Sequence, residues 1–310
     1  TDILEFILRS ERARRGGSDP ASAAELQRLE QEVTEIRKAA PEKTAPNDEF
    51  RFRIVTTTEQ LAAMMEDLGK HDLLTIDVET TGLDVLKDGL VGVGISGSSD
   101  YAYYIPVGHE TPGAQLDLAV VLPVLQQLFS GKKINAHNAV FEYQVFKRLS
   151  ITLDIAFDTM ISYQLTDEIG PAGLKAVAQK ILDVADWGLN LEERPANKRS
   201  IREVGIYCCR DVIYTHALHE KLEPVMRAEY PFVSFDVEIP LVPVMGEMML
   251  AGVPVDAAYL DELKVKVETR LQELIGEIHT AVGHEFNINS SQQLADVLYS
   301  ELGVPVTNET

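Results

Sequence analysis

Two acidic residues at the end of a predicted strand, Asp77 and Glu79, are the first in the sequence whose types and spacing could do chemistry. They lie in LLTIDVET, whose apolar and β-branched start predicts a buried strand. Residues two apart on a strand point to the same side, so both carboxylates can face one pocket. Carboxylate oxygens are ligands that Mg²⁺ and Mn²⁺ prefer. The pair indicates a metal site, although acidic residues at strand ends also cap turns or face water.

A third carboxylate, Glu142, lies on a predicted helix that begins after Asn138. Asn138 is well placed to cap this helix, and the buried stripe of the helix includes Phe141 and Val145. Glu142 lies beside that stripe, a position that by itself is typical of a solvated helix carboxylate. Its candidacy as a site residue therefore depends on the other acidic residues.

The last chemical element is a tyrosine and an aspartate, Tyr207 and Asp211, four residues apart on a predicted helix. That spacing places both side chains on one face. The surrounding residues are apolar, which predicts that Asp211 is buried, and a buried carboxylate must be paired or must bind metal. Two explanations stay open at this point: a structural aspartate bonded to the Tyr207 hydroxyl, or a site in which both residues act.

Alternating strands and helices from Arg51 onward must position these side chains. Short apolar and β-branched runs predict strands in FRIVTT, LLTIDVET, LVGVGIS, AYYIPV and KKINAH. Apolar spacing predicts helices over residues 61–68, 116–129, 139–149, 174–182 and 201–222. The mixture predicts an α/β domain over residues 51–232, with a sheet covered by helices.

Two further regions flank this domain. In residues 1–50 the apolar spacing predicts an amphipathic helix over residues 21–40, followed by a linker with two prolines. Beyond residue 233 the run EIPLVPVMGEMMLAGVPVD precedes a predicted helix over residues 257–282. We therefore expect a separate helical segment over residues 233–310.

The bulk composition limits the function classes. The formal charge of −21 argues against a protein that coats nucleic acid through bulk electrostatics, but an acidic cleft can receive a phosphodiester once cations are bound. No apolar run is long enough to span a bilayer, so no membrane partner is expected. The two cysteines are adjacent, which suits neither a disulfide framework nor a zinc site and favours a reducing, cytoplasmic location.

Taken together, the acidic residues and the tyrosine resemble, in order and in the elements that carry them, the DEDD-type proofreading exonucleases of ribonuclease H-like fold. They match the subgroup with a tyrosine in the last motif. The resemblance is closest to the family A DNA polymerases of the bacterial DNA polymerase I type. The segments AYYIPVGHE and FDTMISYQL resemble the exonuclease domain of that family. EIPLVPVMGEMMLAGVPVD and FNINSSQQLADVLYSELGVP resemble the start of that family's polymerase domain. The resemblance covers residues 52–305 and implies an exonuclease domain followed by an incomplete polymerase domain, without palm or fingers.

The resemblance also implies roles for the site residues. Asp77, Glu79 and Asp211 would hold one divalent ion, Mg²⁺ or Mn²⁺, and Asp77 with Glu142 would help position a second. Tyr207 would orient the water that attacks the 3′-terminal phosphodiester, and the product would be a nucleoside 5′-monophosphate.

Three more residues match family positions that line the terminal nucleotides: Leu83, Asn138 and Phe141. Leu83 would wedge between bases, and Phe141 would offer an apolar surface. The expected partner is DNA with a single-stranded or frayed 3′ end, because a mispaired terminus costs less to unstack than a matched one. A polymerase domain, continuous or on a separate chain, is a further expected partner.

Glu142 departs from the family pattern, which has aspartate at this position. The added methylene moves the carboxylate by about 1.5 Å, and Mg²⁺ tolerates little change in geometry. One alternative is therefore a weakened or inactive exonuclease-fold scaffold, or a DNA-docking part of an intact or split polymerase. Another is a ribonuclease D-like RNA-processing exonuclease, which the tail after Glu238 disfavours.

Overall fold

The computed structural model describes residues 51–305, so the helix and linker predicted within residues 1–50 lie outside the described part. The described residues divide between Ala251 and Gly252 into two compact units. The first unit contains all the candidate site residues. This unit extends to Ala251, because the helix Ile239–Ala251 packs on it.

A mixed six-stranded sheet forms the centre of the first unit. The strands are β1 (Phe52–Ile54), β2 (Leu73–Thr80), β3 (Leu90–Ser96), β4 (Ala102–Pro106), β5 (Lys133–Ala136) and β6 (Asp154–Asp158). Their order across the sheet is β1-β4-β3-β2-β5-β6. The pairs of β3 with β2 and β4 are antiparallel, and the other neighbouring pairs are parallel. The five predicted strands are confirmed, and β6 was not predicted.

Helices cover both faces of this sheet. They are α1 (Thr58–Leu68), α2 (Leu118–Phe129), α3 (Ala139–Arg148), α4 (Thr159–Thr166), α5 (Leu174–Leu182), α6 (Ile201–Glu229) and α7 (Ile239–Ala251). Two clusters of buried apolar side chains result: one includes α1, α2 and α3, and the other includes α5 and α6. Since the strands between these clusters are buried on both faces, β3 and β4 consist almost entirely of buried residues.

A buried polar contact fixes α6 against the centre of the sheet. The Thr75 hydroxyl oxygen on β2 lies 2.8 Å from His216 Nδ1 on α6, and Asn135 Nδ2 on β5 donates to the same oxygen at 2.9 Å. All three side chains are buried, where an unpaired polar group would cost about 1–3 kcal/mol. The contact therefore fixes the register of α6 on β2 at Thr75, two residues before Asp77 along the strand.

The chain after α6 is helical, although its sequence contains several prolines. Helix α6 extends to Glu229 rather than ending near residue 222, and a π-helical segment, Val233–Glu238, leads into α7. Pro240 has no N–H to donate to a carbonyl one turn back, which is a physical reason for the wider winding before it. Helix α7 packs on α3, where Gly246 allows close approach: a Cβ there would lie 2.4 Å from Tyr143 Cδ1.

The second unit contains a long helix, α8 (Ala257–Val282), and a short one, α9 (Ser291–Ala295). The helix predicted over residues 257–282 is confirmed. It begins where the Asp256 side chain accepts the Tyr259 N–H at 3.0 Å, and it ends at Gly283 with φ of 90°. Most apolar residues of α8 are exposed, whereas Ile275 and Val282 are half-buried.

Candidate active site

Strand β2 carries Asp77 and Glu79 to the same side of the sheet. Asp77 pairs with Gly94 of β3 and Glu79 with Gly92, and the register shifts immediately after Glu79. A Cβ at Gly94 would lie 2.6 Å from Cys208 Sγ and 2.7 Å from Val212 Cγ2. The glycine therefore lets α6 approach the sheet beside Asp77, which a larger residue would prevent.

Helix α6 faces these carboxylates with Cys208. Its Sγ lies 3.3 Å from Asp77 Oδ2, and the ligand atoms of Asp77, Glu79 and Cys208 all lie within 4.8 Å of one another. Burial and the neighbouring carboxylates raise the pKa of the Cys208 thiol well above its ordinary value. A neutral thiol is a weak donor and a poor ligand for hard cations. Cys208 therefore packs and donates to Asp77, whereas the hard ligands come from the acidic residues.

Asp211 and Tyr207 on α6 are joined by a lysine that sequence reasoning missed. Lys175 Nζ lies 2.5 Å from Asp211 Oδ2 and 2.8 Å from the Tyr207 hydroxyl. The indole of Trp187 donates to Asp211 Oδ1 at 2.5 Å. Lys175 lies on α5 and Trp187 in the chain that follows it, so no spacing in the sequence connects either with the acidic motifs.

Glu142 on α3 is buried with 4% exposure, which makes the solvated alternative wrong. Its Oε2 atom has no hydrogen-bond partner among the described residues. Burial, the charge of Asp77 and the charge of Asp158 raise its pKa well above the ordinary value. A buried carboxyl in that state is a group that a cation could satisfy.

The prediction that the Asn138 side chain caps α3 is wrong. Asn138 occupies the N-cap position with φ of 69°, but its side chain makes no capping bond. The carboxylate of Asp158 caps the helix instead, because its two oxygens accept the N–H groups of Asn138 at 3.2 Å and Ala139 at 2.7 Å. Asp158 also accepts N–H groups at the start of α4, so one buried carboxylate joins two helix starts. This tertiary cap orients the helix that carries Glu142.

A cavity of about 340 Å³ opens over the carboxylates. Asp77, Glu79, Tyr207 and Asp211 line it, and its apolar walls include Leu83, Phe141, Leu191 and Pro195. The Leu83 side chain is 88% exposed, so it is free to contact a ligand. Asn138 is exposed and does not line the cavity.

Burial and the mutual repulsion of neighbouring carboxylates raise the pKa values of the acidic residues in the site. Burial, followed by the charge of Asp211, raises the pKa of Asp77 to about 7, while Lys175 acts in the opposite direction. Burial and the charges of Asp77 and Asp211 raise the pKa of Glu79 well above its ordinary value. Bound divalent cations would relieve this repulsion. The oxygen donors and the unpartnered Glu142 Oε2 fit a hard cation such as Mg²⁺ or Mn²⁺.

Comparison with known proteins bears on the chemistry of this site. The family model of the 3′-5′ exonuclease domains of A-type DNA polymerases matches residues 52–227. The chain belongs to this family. The predicted 3′-5′ exonuclease domain is thereby confirmed, and the scaffold and ribonuclease D-like alternatives are not favoured.

Curated relatives agree. DNA polymerase I of Chloroflexus aurantiacus is 33% identical over 271 residues, which are 81% of this chain and 28% of that protein. DNA polymerase I of Pseudomonas aeruginosa is 28% identical over 303 residues, which are 92% of this chain and 33% of that protein. The chain therefore spans a third or less of the length of these relatives.

Solved structures show the same fold. The POL domain of Pol1 from M. smegmatis, in complex with DNA primer-template and dNTP, has a TM-score of 0.61 at 20% identity, covering 83% of this chain and 42% of that one. Brucella melitensis NrnC with bound Mg²⁺ has a TM-score of 0.50 at 22% identity, covering 66% of this chain and 94% of that one. The predicted ribonuclease H-like α/β fold is confirmed.

None of the helices described in residues 51–305 is long and apolar enough to cross a membrane.

Proposed function

We propose that this domain removes nucleotides one at a time from the 3′ end of DNA, releasing nucleoside 5′-monophosphates. The observation that carries the proposal is the convergence of buried acidic side chains and a tyrosine at one cavity. Asp211 and Glu79 are 4% and 5% exposed, although a carboxylate is stable in such surroundings only with a counter-charge. The expected substrate is a single-stranded or frayed end, and proofreading would follow from that preference.

The proposal assigns two divalent cations, Mg²⁺ or Mn²⁺, to the acidic residues. Asp77, Glu79 and Asp211 would hold one, and Asp77 with Glu142 would help position the other. When bound, such ions activate a water and stabilise charge on the attacking and leaving oxygens of an in-line displacement. Glu142 supports the second position because its buried Oε2 atom has no other partner among the described residues.

The remaining side chains would orient the reactants. Burial and the carboxylate charges raise the pKa of Tyr207 well above its ordinary value, so the phenol stays protonated and can donate a hydrogen bond to the attacking water. The exposed Leu83 would insert between the last bases, while Phe141 would form the opposite apolar contact. Asn138, exposed at the start of α3, would meet the next nucleotide along the strand.

The chain's place in a larger enzyme is also proposed rather than observed. We propose that residues 233–310 begin a family A polymerase domain, which would act as the partner of the exonuclease. A DNA substrate, together with two buried free cysteines, favours a cytoplasmic enzyme.

The test is digestion of 5′-labelled single-stranded DNA in Mg²⁺, in Mn²⁺ and in EDTA. We expect a ladder that shortens stepwise from the 3′ end only when metal is present. Asp77→Ala should abolish the ladder, and Asp84→Ala, an exposed acidic residue near the same strand, should leave it intact. RNA of the same sequence should be cut more slowly. A folded wild-type protein that shortens no DNA in either metal would refute the proposal.

A further inference from the structure

Lys175 is a charged side chain at the site to which the proposed function gives no role. It lies in the first turn of α5, with its side chain 27% exposed. Its ammonium contacts the Asp211 carboxylate at 2.5 Å and the Tyr207 hydroxyl at 2.8 Å, and it lies 4.3 Å from the centre of the Tyr207 ring. A residue in contact with both groups is well placed to influence the reaction.

The charge of Lys175 reaches beyond its direct contacts. It lowers the pKa of Asp211, Asp77 and Glu79 against the effect of their burial. Lys175 therefore acts as a resident counter-cation for the cluster on which metal binding would depend. A fixed positive charge beside a cation site also repels a second cation that enters it.

The charges of the carboxylates, the two cations and the phosphodiester do not cancel without a further positive charge. When ionised, the four carboxylates assigned as ligands, Asp77, Glu79, Glu142 and Asp211, carry four negative charges, which two divalent cations balance. The scissile phosphodiester then adds a negative charge that these groups do not balance, and it grows on the leaving oxygen as the bond breaks. One ammonium restores neutrality.

We propose that Lys175 is a positioning residue that holds the Tyr207 hydroxyl in place and supplies the positive charge that balances the scissile phosphodiester. This inference rests on the proposed exonuclease function. An ammonium can only donate, so its contact occupies a lone pair of the Tyr207 oxygen. The phenolic proton is thereby directed away from Lys175, where it can reach the attacking water.

The proposal predicts effects of opposite sign on metal binding and on turnover. Removing the charge should tighten metal binding, because a repelling cation is lost. The same change should slow turnover, because the phosphodiester loses its counter-charge. A lysine that only held the site together would affect both in the same direction, since a loosened site binds metal less well and reacts more slowly.

The experiment compares Lys175→Gln, Lys175→Arg and Lys180→Gln with wild type. Lys180 is the matched control, because it lies on the same helix and contacts Asp167 at 2.8 Å and the Tyr163 hydroxyl at 3.1 Å, away from the site. Mn²⁺ affinity is measured by isothermal titration calorimetry without DNA at pH 8.5, which reduces proton competition for the carboxylates. Turnover is measured on 5′-labelled single-stranded DNA at saturating Mn²⁺.

We expect Lys175→Gln to bind Mn²⁺ about tenfold more tightly and to have a kcat lower by about tenfold to a hundredfold. Lys175→Arg, which keeps the charge, should stay within about threefold of wild type in affinity, and Lys180→Gln should match wild type in both measurements.

Weaker Mn²⁺ binding by Lys175→Gln, or unchanged turnover, would overturn the proposal. If Lys175→Gln does not fold, a tenfold change in Mn²⁺ affinity in Lys175→Arg would overturn it instead. A wild-type protein that binds Mn²⁺ but does not shorten DNA would refute the proposed function and, with it, the role of Lys175 in the reaction. Wild-type activity together with a fully active Lys175→Gln variant would refute the lysine role alone.

Discussion

Replacing Asp77 by asparagine should stabilise the metal-free protein at pH 8, although we place this residue at the centre of the site. Its pKa is about 7 in the folded protein, against 3.8 for the unperturbed group. Because the folded-state pKa is the higher one, the unfolding free energy falls as pH rises through this window, and the full cost is present above it. The shift sets an upper bound of about 4 kcal/mol. Asp77 is partly accessible to solvent, so we expect a gain of about 2–3 kcal/mol.

Urea unfolding in EDTA, followed between pH 4.5 and 8.5, measures this gain. Trp187 provides the signal, because it is the only tryptophan of the chain and lies in the site. Burial lowers the pKa of His137 and His216 to about 4, so these groups also change stability below neutral pH. Comparing wild type with Asp77→Asn at each pH cancels their contribution.

The expected difference between the two proteins is small at pH 4.5 and grows to its full value by pH 8. Added Mn²⁺ should reverse the order, since only wild type keeps the full ligand set. Asp167→Asn is the control with the opposite sign, because hydrogen bonds from Lys180 and Tyr163 lower the pKa of Asp167, and its loss should destabilise at pH 8. A gain for Asp77→Asn that is absent at pH 8, or equal at both ends of the range, would refute the electrostatic reasoning.

Three further substitutions test other parts of the structure. Glu142→Gln mimics the protonated carboxyl that burial favours, so its unfolding free energy in EDTA should stay within about 1 kcal/mol of wild type. Its exonuclease turnover with metal should fall on the order of a hundredfold, and turnover equal to wild type would contradict a ligand role. Leu83→Ala should leave urea stability within about 0.5 kcal/mol, because the side chain is 88% exposed, and should raise the KM for single-stranded DNA roughly fivefold. Gly246→Ala should lower the unfolding free energy by about 1–3 kcal/mol, because the new Cβ would lie 2.4 Å from Tyr143 Cδ1. Gly276→Ala, which has open space around it, is the control and should not lower it. If Gly246→Ala is as stable as wild type in thermal unfolding, α3 and α7 adjust freely to the added methyl group.

The sequence predicted the parts of the site that depend on local periodicity. Asp77 and Glu79 follow from strand alternation, and Tyr207 and Asp211 from helix spacing, so their shared faces could be predicted from neighbouring residues alone. The order of the motifs indicated the family, which the comparisons confirm.

The contacts that complete the site could not be predicted in this way. Lys175 and Asp158 come from other elements, and only the tertiary fold brings them to Asp211 and to the start of α3. The Asn138 cap was predicted from residue preference, but a buried carboxylate from β6 competed successfully for the same backbone donors. Helix α7 was missed because Pro240 and Pro243 obscured its pattern, although packing on α3 outweighs their cost.

Regular secondary structure forms one part of the cavity, and an irregular segment forms another. The carboxylates come from a central strand and a long helix, which the buried Thr75 and His216 contact holds in register. Two of the apolar wall residues, Leu191 and Pro195, belong to an irregular segment between α5 and α6. Substitutions in that segment can change the apolar wall of the cavity without replacing any of the acidic residues. Residues 189–195 can therefore vary, in evolution or in selection experiments, while the acidic residues stay the same. We expect such variation to change which polynucleotide the site prefers.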